Sequence, residues 1–113
     1  MNTTQIFNMK YLITESQLDK AYSKYLDHVF HGVHMDPLKS DDTYKVYSTD
    51  ELRAFTYGGR TKDVYIFEMF VEEFKDMFVN LDSEEALDII GKWIENKFGH
   101  PVRDVISVDI MST

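Results

Sequence analysis

The sequence predicts an α+β fold with helices packed on one face of a small antiparallel sheet, in the order α-β-β-β-α-α-β. Three observations carry this expectation. An apolar stripe of helical period stands near the start, a β-branched and aromatic middle is broken by turns, and two more helical stripes precede a final alternating strand. Residues 1–13 are expected to form an N-terminal lead-in and residues 14–113 a single α+β domain.

Gln5 to Ile13 mixes apolar and polar residues without a clear period, so it reads as an extended lead-in. Thr14 and Gln17 form a capping-box pair whose side chains can satisfy amide donors at a helix start. Leu18, Tyr22, Tyr25, Leu26, Val29 and Phe30 recur at spacings of three and four, giving that helix one buried stripe, and Gly32 is its stop. Val33 to Thr43 is expected to be a loop. Tyr44 to Tyr47, Leu52 to Tyr57 and Val64 to Phe67 then read as a three-stranded antiparallel meander. Ser48-Thr49-Asp50 and Gly58-Gly59-Arg60 are its turns, the second through glycines that accept positive φ.

The next helix places Phe70, Phe74, Met77 and Phe78 on one side and Glu72, Glu73 and Asp76 on the other. Asp82 caps the last helix, with Glu85 three residues on and a staple between Leu81 and Ala86. Leu87, Ile90, Ile94 and Phe98 form its core stripe, Gly99 ends it and Pro101 prevents its resumption. The expected core joins Phe70, Phe74, Leu87, Ile90, Ile94 and Phe98 to Leu26 and Val29. Val105 to Ile110 closes the chain as a strand with Ile106, Val108 and Ile110 on one face.

A chain of 113 residues that is 43% hydrophobic can bury a core without staples, and the lack of cysteine excludes disulfides, thiolate nucleophiles and cysteine-based metal sites. The start lacks the basic flank and apolar run of a signal peptide, and no apolar run reaches the roughly 18 residues of a membrane helix. A cytoplasmic protein with no membrane partner is therefore expected, and the Asn2-Thr3-Thr4 sequon is read as a coincidence. Acidity is local. Eight acids lie between Glu68 and Asp88 with one lysine, Lys75, leaving −7 there against −8 for the whole chain. That field opposes direct nucleic-acid binding and favours a basic protein partner.

His28, His31, His34 and Asp36 have spacings that a transition metal could use, but histidines at a helix C-terminus also complement its carbonyls. No metal or other cofactor is expected, and His100, between Gly99 and Pro101, reads as a loop residue. Glu72 with Asp76 and Glu84 with Asp88 are carboxylate pairs, yet they face away from the apolar stripes and lack the burial that divides acid from base. Gly58-Gly59-Arg60 lacks phosphate-loop spacing, so an enzyme is not expected. The acidic face has three readings: a solvated surface, a dock for a basic partner, or a mimic of nucleic-acid phosphates. Ala86, Ile89 and Trp93 widen the apolar arc of the last helix beyond what one sheet covers. Another helix is expected to cover that flank, the alternative being a self-association or partner interface. Gly91 points to close packing there.

Two stretches, Lys10-Tyr11-Leu12-Ile13-Thr14-Glu15-Ser16-Gln17-Leu18 and Asp88-Ile89-Ile90-Gly91-Lys92-Trp93-Ile94-Glu95, resemble segments of short uncharacterised proteins of large tailed bacteriophages, particularly T4-like marine cyanophages. In that group the first stretch stands at the chain start, whereas here eight residues precede Met9, so residues 1–8 are expected to be an appendage. The resemblance implies a viral origin and supplies no activity. The resulting expectation is a small acidic non-enzymatic protein that acts by macromolecular binding in the host cytoplasm. Glu72, Glu73, Asp76, Ile89 and Trp93 are its candidate partner-binding residues. A minor structural component of the virion is the alternative, and an unrecognised enzyme is third.

Overall fold

A computed structural model describes residues 4–7, 11–50 and 53–109, with side chains from Gln17 onward in those segments. The Thr14 hydroxyl, Leu52, Ile110 and the Asn2-Thr3 pair lie outside the described residues. Strands β1 (Thr4–Phe7) and β2 (Tyr11–Thr14) pair antiparallel as a separate two-stranded sheet, in the register Thr4 with Thr14 and Phe7 with Tyr11. The lead-in is thus a hairpin. Its strands lack simple alternation, so the pairing has no clear signal in the sequence.

Helix α1 (Glu15–Val29) buries Leu18, Tyr22 and Leu26; Phe30, just past its end, is buried too, and the chain turns at Gly32, whose φ of 77° needs the left-handed region. Next comes β3 (His34–Met35), a short edge strand inside the segment expected to be a loop. It lies against β4 (Tyr44–Ser48), which continues antiparallel through β5 (Arg53–Gly58) to β6 (Asp63–Phe67). The meander stands as expected, but its second turn works differently. Positive φ falls on Lys62, at 62°, and on neither Gly58 nor Gly59; a Cβ at Gly58 would sit 3.2 Å from the Thr61 hydroxyl.

Strand β6 runs directly into α2 (Glu68–Met77), then α3 (Ser83–Phe98), then β7 (Asp104–Val108). The five-stranded sheet has the order β3-β4-β5-β6-β7, and β7 is parallel to β6. Only that pair departs from the antiparallel rule. Two helices separate its strands, and such a crossover returns the chain to the end from which it left. Asp82 caps α3 by accepting the Glu85 amide at 2.9 Å, and Gly99 ends it with φ 74°.

Three helices pack on one another and on the sheet through aromatic rings. Tyr22 and Tyr25 of α1 meet Phe74 and Phe78, with Tyr25 and Phe74 stacked at 5.4 Å. Phe30 touches Phe55 of the sheet, Phe70 of α2 and Trp93 of α3. Leu26, Phe70, Phe74, Ile90 and Ile94 are buried, and Val29, Leu87 and Phe98 pack against them. Met77 departs from its expected place at 60% exposure, and Val71 is buried in its stead, because α2 turns its Phe70–Val71–Phe74 arc inward. On β7 the inward residue is Val105. Ile106 is 38% exposed on the helix-free face, because pairing with Tyr65 sets its side, whereas Val105 pairs with buried Val64.

At Gly91 helix α3 comes close to β7. A Cβ there would lie 2.9 Å from Val105 Cγ2 and 3.4 Å from Val102 Cγ1. Alanine in a helix interior ordinarily gains about 1 kcal/mol over glycine. Here Gly91→Ala should instead destabilise, and combining it with Val105→Ala should recover part of the loss as a measured coupling between the two sites. Phe74→Ala should cost about 3–5 kcal/mol, since its ring is fully buried in the cluster joining α1 to α2. Chemical denaturation of each variant reads both effects, and wild-type stability of Phe74→Ala would contradict the packing described.

Candidate functional site

All eight acids from Glu68 to Asp88 have exposed side chains, because each lies off the buried arcs of α2 and α3 or in the turn joining them. Glu72 meets Lys75 Nζ at 3.5 Å, one turn along an exposed helix, a pair that contributes little to stability. Lys75 also donates to Ser83 Oγ at 2.9 Å. Glu73 and Asp76 have no ion-pair partner among the described residues. Their field is felt nearby. Burial raises the pKa of the Tyr25 hydroxyl, and Glu73 and Asp76 raise it further. Tyr22 is raised in the same way by burial, then by Glu85 and Asp19.

The candidates Ile89 and Trp93 are placed differently. Trp93 is 6% exposed beneath α1, its ring against Phe30 and Phe98, and its indole N–H donates to Asp27 Oδ1 at 2.9 Å. Lys97 donates to the same oxygen at 3.2 Å, and these bonds, the Trp93 one foremost, hold the Asp27 carboxyl below its usual range. Ile89 is half-buried beside a groove between α1 and α3. Helix α1 therefore lies over much of the extra apolar flank, and Trp93 shows only an edge to that groove.

A second groove, of about 570 Å³, runs between α3 and the start of β7. Leu87, Gly91, Val102 and Val105 form its apolar floor, and Glu84, Glu85, Asp88 and Asp104 stand around it. Lys92 at its rim is engaged by Asp88 at 3.4 Å, and Glu95 accepts the Val102 amide at 2.9 Å. Arg103 turns to buried Asp63, donating to both carboxylate oxygens at 2.8–3.2 Å. Those bonds, with help from Thr61, hold Asp63 below the usual carboxylate range despite its burial.

The remaining polar cluster surrounds His100. Its ring stacks on Tyr57 at 4.4 Å and hydrogen-bonds through Nε2 to the Tyr47 hydroxyl, while Tyr57 donates to the Pro101 carbonyl at 2.7 Å. Tyr47 and Tyr57 face the same side of adjacent strands, which brings both to the loop after α3. No local pattern links them to His100, more than forty positions away, so only the alternation of the two tyrosines could have hinted at the cluster. Of the other histidines, His28 and His31 are exposed and His34 Nδ1 lies 2.9 Å from the Gly32 carbonyl. Among the described residues, no three His, Asp or Glu side chains are grouped to hold a metal ion, and no helix is long and apolar enough to cross a membrane.

No protein-family model, curated protein or solved structure matches this chain.

Burial, and then the charge of Lys45, push the His100 pKa below its ordinary value of 6.5. Between the folded and unfolded values the unfolded chain binds more protons, so stability is fully present above about pH 6.5 and falls as pH drops through that window. The lowered carboxylates Asp27, Asp41 and Asp63 act only further down, from about pH 4. The melting temperature should therefore decline as pH drops below about 6.5, and His100→Gln should flatten that decline. An equal slope in both proteins would assign the effect elsewhere.

Proposed function

We propose that this chain is a small acidic, non-enzymatic, phage-type protein that binds and modulates a basic protein partner in the host cytoplasm. One observation carries the reading: eight carboxylates between Glu68 and Asp88, all exposed, against Lys75 alone. Such a field accelerates encounter with a cationic surface and repels phosphate backbones. The α2 acids project from a helix that is seated on an aromatic core. The likeness of its two terminal stretches to tailed-phage proteins supports the viral setting.

Capture of the partner from host lysate should weaken steeply as salt rises, because exposed charges are screened within about 8–10 Å at moderate ionic strength. Reversing Glu72, Glu73 and Asp76 together to lysine should abolish capture while the melting temperature stays within a few degrees, as exposed charges contribute little to folding. Capture that persists through both high salt and the triple reversal would overturn the reading.

A further inference from the structure

Strand β7 is one open edge of the sheet: β6 lies on one side, and among the described residues no strand lies on the other. From Asp104 to Val108 it carries neither proline, lysine nor a bulge, and Asp104 at its start is the one charged residue that guards the edge. Beside it runs the groove floored by Leu87, Gly91, Val102 and Val105. We infer that this groove takes an extended, basic segment of a protein partner, which adds to β7 as a sixth strand of the sheet. The inference rests on the acidic-surface reading above: the α2 acids draw the whole partner in, and the groove seats one segment of it, which a short peptide reads by itself.

The chemistry of the occupant follows from the two sides of β7. Val105 points toward α3, so side chains level with it in an added strand meet the acidic flank of Glu84, Glu85 and Asp88. Asp88 is engaged by Lys92, whereas Glu84 and Glu85 have no ion-pair partner among the described residues. Side chains on the alternate positions lie beside Ile106 and Val108, on the helix-free face. The fitting segment therefore alternates lysine or arginine with apolar residues. Its main chain supplies hydrogen bonds to the edge and its side chains supply selection. A second copy fits worse, because it brings another acidic flank on a chain of net charge −8.

The test uses a fluorescein-labelled peptide of about eight residues alternating lysine and valine, its glutamate–valine counterpart, and the lysine peptide N-methylated at alternate positions, all read by anisotropy. The lysine peptide alone should bind. Glu84→Gln with Glu85→Gln should weaken it by about tenfold or more, while the Glu72, Glu73 and Asp76 reversal changes it less. No binding, or binding indifferent to N-methylation, overturns strand addition. Binding governed by the α2 acids overturns the groove yet leaves the acidic-surface reading standing, which partner capture tests separately. Sedimentation of the protein alone completes the set: a dimer that Ile106→Lys dissociates would give the edge to a second copy and overturn the inference as well.

Discussion

The parallel pairing of β6 with β7 is the constraint on which the rest of the architecture depends. Once these neighbours run the same way, the chain between them must cross the sheet, and α2 and α3 are that crossing. The start of the pair is fastened by the Arg103–Asp63 fork and by the Arg103 amide on the Lys62 carbonyl at 2.7 Å. Fork geometry satisfies both oxygens of a carboxylate that burial would otherwise penalise. The close end of the crossing is set by Gly91, whose missing side chain lets α3 settle on Val105 and Val102.

From that frame, α1 finds its place by covering what the crossing leaves exposed. Phe30 fills the junction of α2, α3 and the sheet, and Tyr22 and Tyr25 close over Phe74 and Phe78. The Trp93–Asp27 hydrogen bond gives the indole N–H a partner, as a buried tryptophan requires. Burial of apolar side chains, aromatic and aliphatic, drives the packing, and the few polar contacts choose how the helices are seated. His100 extends the same logic to the far end of α3, where two sheet tyrosines hold the loop that leads into β7.

On α2 and α3 charge and packing are kept apart. The apolar arcs of α2 and α3 face the core, so their acids are confined to the outer surface and to the groove beside β7. Neutralising contacts are few: Lys75 meets Glu72 and Lys92 meets Asp88. The surface therefore keeps a strong negative field at small cost to the fold, since screened, exposed carboxylates repel one another only weakly.

Much of the fold was determined by the sequence alone because helices and tight turns are local. A stripe of period 3.6, a carboxylate three residues before the amide it caps, and a glycine at a left-handed stop all act within a few residues. Hence α1, α3, the Asp82 cap, the Gly99 stop and the β4–β5–β6 meander were legible. The exposed acids Glu72, Glu73 and Asp76 were legible for the same reason, lying opposite Phe70 and Phe74 on one helix. Only the tertiary structure decided what depends on residues far apart in the chain. It made the lead-in a hairpin, turned β7 parallel, sent Ile106 outward and Val71 inward, hid Trp93 under α1, and assembled His100 with Tyr47 and Tyr57. Strand partners and ring contacts such as these are chosen by the shape and area of surfaces that exist only after the helices have docked, and no spacing along the chain encodes them.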